Sequence, residues 1–193
     1  VMPVLDRWGV DQVLEKIVPS RRDVEKAEYT IAINLSGTSL SDPGFLQYLI
    51  ERLEEHEPTP GVLCFEITET AAITNLASAS HVMRELTSRG CLMSLDDFGS
   101  GLSSFNYLRT LPVHYLKIDG QFVHSVAHDA IDRSMVEAIA QVGRSMGIQT
   151  IAERVESAEV FETLKTLGVT YAQGYYIARP APLSEFPHAL CGA

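Results

Sequence analysis

Apolar positions along this 193-residue chain switch between near-continuous runs and helical spacing, and the switches lay out its elements. Trp8, Val10, Val13, Leu14 and Ile17 predict a helix over residues 8–17, which Pro19 and the charged stretch Arg21 to Glu28 end in a loop. The run Tyr29 to Ser36 predicts a buried strand that delivers Asn34. A helix follows, with Asp42 as N-cap, Pro43 at its first position, and Phe45, Leu46, Leu49, Ile50 and Leu53 on one face. Strand Val62 to Ile67 delivers Glu66, a helix over 74–89 stops at Gly90, and strand Cys91 to Leu95 runs into Asp96 and Asp97. Beyond the segment Gly99 to Thr110, strand Tyr115 to Asp119 delivers Lys117 and Asp119. A long helix over 130–146 leads to strand Ile148 to Glu153, a helix over 157–167, and a last strand at Tyr171 to Gly174.

Six strand-then-helix units at these spacings predict an α/β fold with a parallel sheet. They suit either an open doubly wound sheet or most of a closed TIM-type (β/α) barrel. The polar strand ends favour the barrel, whose C-terminal strand ends converge on one mouth. That mouth would collect Asn34, Glu66, Asp96, Asp97, Lys117, Asp119, Glu153 and Gln173. A complete barrel has eight strands and about 250 residues, so about six of the eight strands are expected here, with the shortfall at the N-terminus. Val1-Met2-Pro3-Val4 has neither an initiator methionine nor a signal-peptide layout and reads as a cut inside a longer chain.

A hydrophobic content of 46% with 21% charged residues fits one globular domain over residues 1–193, without linkers or low-complexity segments. The formal net charge of -10, with no basic stripe, argues against a DNA or RNA polymer as partner. Three cysteines, Cys64, Cys91 and Cys191, are odd in number and widely spaced, which fits core residues in the cytoplasm better than a disulfide framework. No run reaches the length of a membrane span, so membrane attachment would need further segments.

The candidate chemistry starts from Ser94-Leu95-Asp96-Asp97-Phe98-Gly99-Ser100-Gly101, a strand that runs into adjacent carboxylates and a glycine-rich turn. Neighbouring carboxylates repel each other, and a cation offsets that repulsion. An amide oxygen and several carboxylates from different strands form the all-oxygen set that Mg²⁺, Mn²⁺ or Ca²⁺ prefers. Two such ions about 3.5 to 4 Å apart support in-line attack of water on a phosphodiester. Lys117 would orient that water and Glu153 would take its proton. Spacing alone leaves a second chemistry open, an enolase-type barrel in which a lysine abstracts a proton next to a carboxylate.

The ordered set Asn34-Leu35-Ser36, Glu66-Ile67-Thr68-Glu69, Asp96-Asp97-Phe98-Gly99-Ser100-Gly101, Leu116-Lys117-Ile118-Asp119, Ala152-Glu153-Arg154-Val155-Glu156 and Gln173-Gly174-Tyr175 resembles the EAL-domain family of bacterial cyclic-di-GMP phosphodiesterases. The resemblance implies a modified TIM barrel, two Mg²⁺ or Mn²⁺ ions, and hydrolysis of cyclic di-GMP to linear pGpG. It implies that Asn34, Glu66, Asp96 and Asp97 hold metal. Lys117 and Glu153 would act on the water, while Asp119, Glu156 and Gln173 would support the metals, the water or the nucleotide. Glu69 joins the catalytic group as the brace of the loop Phe98 to Thr110, which in the family couples metal binding to dimerisation. A sensory or GGDEF-type domain is expected in the rest of the chain.

Two departures stand out. Arg154 replaces the glycine usual between the alanine-glutamate and valine-glutamate pairs. The Glu-Ala-Leu signature, whose glutamate is a metal ligand, is absent from these residues, so the isolated chain is expected to be inactive. The alternative is a non-catalytic cyclic-di-GMP receptor. His124, His128 and Asp132 have spacing that would suit a further metal set on one helical face, and Tyr175 and Tyr176 are candidates for stacking on guanine.

Overall fold

The computed structural model describes residues 2–16, 29–100 and 105–182. Within them six strands form one parallel sheet in the order of the sequence. They are β1 (Ile31–Leu35), β2 (Leu63–Thr68), β3 (Leu92–Phe98), β4 (Tyr115–Ile118), β5 (Gln149–Ala152) and β6 (Tyr171–Ala172). Sequential order in a parallel sheet is the topology of a barrel wall, and it excludes the strand-order reversal of a doubly wound sheet. Among the described residues β1 and β6 remain the two edges, as expected from six strands of eight.

Helices α1 (Met2–Lys16), α2 (Gly37–Leu40), α3 (Pro43–His56), α4 (Glu69–Thr74), α5 (Leu76–Thr87), α6 (Gly120–His124), α7 (Ala130–Met146) and α8 (Ala158–Leu167) complete the wall. The outward strand positions Phe65, Ile67, Met93, Leu95, Leu116 and Ile118 are fully buried against helix residues such as Leu49, Met83, Leu86 and Ile139. The opposite face carries Asn34 and Glu66, paired in register, then Asp96, Lys117 and Gln173 at successive strand ends. One face of the sheet therefore makes the core, and the other makes the site.

The helix starts follow the residue chemistry. Asp42 accepts from the Gly44 N–H at 2.9 Å with Pro43 first in α3, and Gly147 closes α7 at φ 72°. The helix expected over 74–89 is α5, capped by Asn75 at φ -138°, and a further short helix, α4, capped by Thr68, ends just ahead of it at Thr74. The first helix begins at Met2, earlier than its apolar spacing suggested. Ile17, Pro19, the stretch Arg21 to Glu28, and Cys191 lie outside the described residues. Cys64 and Cys91 are buried free thiols, and burial pushes both up to about 12. No described helix is long and apolar enough to cross a membrane.

Candidate active site

Lys117 is the centre of the mouth. It stands near the C-terminal end of β4, on the same pleat face as Tyr115, and only 4% of its side chain is exposed. Its ammonium lies 2.9 Å from Glu66, 3.0 Å from Asp96 and 2.8 Å from Glu153, so three neighbouring strands each send it a carboxylate. Burial by itself lowers a lysine's pKa, but the hydrogen bond to Glu153 and the charge of Glu66 outweigh it and raise the pKa above the ordinary value. Lys117 is therefore a fixed cation at neutral pH.

Adjacent strand residues point to opposite faces, so Asp96 and Asp97 should not meet in one site. A register shift between Leu95 and Phe98, opposite β4, resolves this. Asp97 takes a left-handed conformation at φ 53°, which aspartate tolerates better than most residues, and its carboxylate swings back to the mouth. Carboxylate oxygens of Asp96, Asp97 and Glu153 come within 4.8 Å of one another. Burial raises the pKa of Asp97, and the charges of Asp96 and Asp119 raise it further. Burial also raises Glu153, which its hydrogen bond to Lys117 partly counters. A cluster of hard oxygen donors whose charges disfavour one another suits a divalent cation of the Mg²⁺ or Ca²⁺ type.

Around this centre the other expected residues divide. Asp119 accepts from the Gln121 N–H at 2.9 Å and so starts α6, while its charge reaches Asp97. Glu156 and Gln173 share with Asp96, Asp97, Glu153, Arg154 and Tyr175 the lining of an open cavity of about 550 Å³. A second cavity of about 450 Å³ runs one layer lower, past Ala32, Cys64, Ser94 and Tyr115, where the buried Ser94 hydroxyl has no hydrogen-bond partner among the described residues. Glu69 stands apart. It is 1% exposed in the first turn of α4, accepts from the Gly99 N–H at 2.9 Å and from the Tyr107 hydroxyl, and so joins both ends of the segment after β3. Tyr107 belongs to a 3₁₀ turn, Phe105–Thr110.

Comparison with known proteins then decides the family: the EAL domain profile matches residues 1–180. The chain belongs to the EAL domain family. It is 46% identical over 159 residues to "Cyclic di-GMP phosphodiesterase PdeB" of Shewanella oneidensis, a match covering 82% of this chain and 19% of that protein. It is 35% identical over 192 residues to "Bifunctional diguanylate cyclase/cyclic di-GMP phosphodiesterase MucR" of Pseudomonas aeruginosa, covering 95% of this chain and 28% of that protein. The solved structure "PaMucR Phosphodiesterase, c-di-GMP complex" superposes with a TM-score of 0.87 at 32% identity, covering 95% of this chain and 80% of that one. The chain thus spans between a fifth and somewhat over a quarter of these curated relatives' length.

Within this EAL domain the expected residues fall into three places. Glu66, Asp96, Lys117 and Glu153 are in direct contact, Asp97 joins them through the bulge, and Asn34 faces Glu66 across β1 and β2. Asp119, Glu156 and Gln173 form the rim. Glu69 lies behind β3. Glu153, expected at the mouth as the proton acceptor, has a carboxylate that also belongs to the cluster with Asp96 and Asp97. The histidine set is corrected: His124 ends α6, Asp132 is in α7, and His128 lies between them, 3.4 Å from Glu159, so they share no helical face. Tyr107 escaped the sequence reading because a tyrosine in a turn gives no sign of a partner 38 residues away.

Proposed function

We propose that this EAL domain provides a metal-dependent phosphodiesterase site that hydrolyses cyclic di-GMP to linear pGpG. The observation that carries the reading is Lys117 held by carboxylates from three strands, beside the Asp96, Asp97 and Glu153 cluster. The names and bound ligand of the relatives supply the substrate. Asn34, Glu66, Asp96 and Asp97 would hold Mg²⁺ or Mn²⁺, which when bound supplies positive charge to the phosphodiester and lowers the pKa of water.

The chain's own residues do the remainder. Lys117, as a fixed cation, orients a water and stabilises negative charge that builds on the phosphoryl oxygens. Attack of that water forms one P–O bond and breaks the ester bond to the leaving ribose oxygen. Glu153 accepts the water's proton, a role suited to a carboxylate whose pKa burial has raised. Asp119, Glu156 and Gln173 position the nucleotide and the water at the rim. Glu69 acts at a distance by fixing the segment after β3, and that segment is the surface through which a dimer would form. A permanently protonated Lys117 does not suit proton abstraction, which disfavours the enolase-type chemistry. The diguanylate cyclase half of MucR's name supports a GGDEF-type or sensory domain in the rest of the protein.

The test is a turnover assay on the full-length protein with Mg²⁺ and with EDTA. Conversion to pGpG that EDTA abolishes supports the reading. Asp96→Asn should lower kcat by at least a hundredfold, because an amide cannot offset metal charge in the transition state. Binding of cyclic di-GMP without turnover would favour the receptor instead. Residues 1–193 alone should show negligible hydrolysis, since the Glu-Ala-Leu glutamate is not among them.

A further inference from the structure

Among the described residues Lys117 at the mouth is ion-paired and Arg154 is not. Arg154 lines the same cavity of about 550 Å³ as Asp96, Asp97, Glu153, Glu156 and Gln173. Lys117, by contrast, is already paired with three carboxylates, which offset most of its charge until a reacting group arrives. Arg154 forms no ion pair or hydrogen bond among the described residues, although its charge is close enough to act on Asp97. A guanidinium with five donors, on a residue that lines a polar cavity, is suited to a planar anionic partner, and phosphate oxygens match it in pairs.

The backbone and the neighbouring helix hold the arm there. Arg154 sits at φ 51°, the left-handed region that an arginine enters at a cost and a glycine enters freely. Its side chain lies directly on Gly120, the first residue of α6. A Cβ at Gly120 would come within 2.4 Å of the Arg154 Cδ and 2.8 Å of its Cγ, so the arm occupies the place a side chain there would need. The strained backbone and the missing side chain at Gly120 together let the aliphatic part of the arm lie on α6 at the edge of the cavity.

We infer that Arg154 is a substrate-binding residue, whose guanidinium takes phosphate oxygens of the dinucleotide at the mouth. The inference rests on the phosphodiester reading above and adds to it the group that compensates substrate charge without metal. The contact is made equally in the bound substrate and the transition state, so it should act on affinity and leave the chemical step alone. The competing role is electrostatic, with Arg154 only offsetting Asp97 and Asp119.

The test compares wild type, Arg154→Gly and Arg154→Lys in the full-length protein. Kinetics with Mg²⁺ are combined with cyclic di-GMP binding in EDTA, where no turnover interferes. Arg154→Gly should raise KM and Kd about tenfold with kcat within twofold, and Arg154→Lys should recover part of the loss. Because glycine relieves the backbone, the melting temperature of Arg154→Gly should not fall. Gly120→Ala, which displaces the arm, should weaken binding in the wild-type background and add nothing to Arg154→Gly. An unchanged Kd in Arg154→Gly, with only the Mg²⁺ half-saturation shifted, would overturn the assignment in favour of the electrostatic role. Wild-type binding without hydrolysis sinks the phosphodiesterase reading alone, since the Kd comparison still decides Arg154. Wild type that binds no cyclic di-GMP overturns both.

Discussion

At the scale of the residue, the site turns on one lysine and one backbone irregularity. Lys117 is buried with three carboxylates at 2.8 to 3.0 Å, so its removal leaves like charges facing one another in a poorly solvated space. Lys117→Ala should cost about 3 to 5 kcal/mol of stability in EDTA, the usual consequence of stranding a buried charge. It should also lower kcat severely while leaving cyclic-di-GMP binding measurable; urea unfolding and steady-state kinetics read the two effects separately. A stable variant with normal kcat would show that the lysine is structural ornament on a site run by other groups. Convergence of strand ends on one mouth placed Lys117, Glu66 and Asp96 together directly from the sequence. The inward turn of Asp97 was not legible in the same way. It depends on a bulge against β4, and a bulge is fixed by the pairing of two strands and not by the residues of one.

Elements show a similar division between local and non-local causes. Strand positions and the start of α3 followed from apolar runs and from Asp42 and Pro43, while the cap of α7, Asp129, is found in the structure. The short α4 ahead of Asn75 was not legible, because six residues carry too little apolar spacing to announce a helix, while the Asn75 side chain caps α5 near its expected start. The last strand, expected through Gly174, pairs only over Tyr171 and Ala172. Glu69 is expected as a brace of the loop after β3, and the partners its carboxylate accepts from became visible only in three dimensions: Gly99 on one side and Tyr107 on the other. Glu69→Gln replaces the charge-assisted bonds from the Tyr107 hydroxyl and the half-buried Gly99 N–H with weaker neutral ones. Trypsin should therefore cut after the exposed Arg109 several-fold faster in Glu69→Gln than in wild type, with the global unfolding midpoint little changed. Equal cleavage rates would mean that the segment is held by its apolar contacts, among them the Phe98 and Phe105 rings at 5.8 Å.

The molecule as a whole carries a formal net charge of -10, and the barrel mouth concentrates part of it on Asp96, Asp97, Asp119, Glu153 and Glu156. The sequential parallel topology was legible because each strand and crossover announces itself, and convergence of the strand ends follows from that topology alone. What the topology costs is repulsion, and pH reports it. The pKa of Asp97 is raised in the folded state by burial and by the charges of Asp96 and Asp119. A carboxyl with a raised folded pKa binds its proton more tightly folded than unfolded. Its contribution to stability is therefore greatest below the ordinary carboxylate pKa and is lost as pH rises through the folded value. Asp97→Asn keeps a residue that tolerates φ 53° and removes the titration. In EDTA, the stability of Asp97→Asn relative to wild type should grow as pH is raised from about 4 to 7, followed by urea unfolding at each pH. Saturating Mg²⁺ at neutral pH should reverse the order, because wild type gains the free energy of binding the ion and the variant gains less of it. If the difference between the two proteins were flat with pH in EDTA, Asp97 would not titrate against its neighbours. If Mg²⁺ failed to favour wild type, Asp97 would hold no part of the metal.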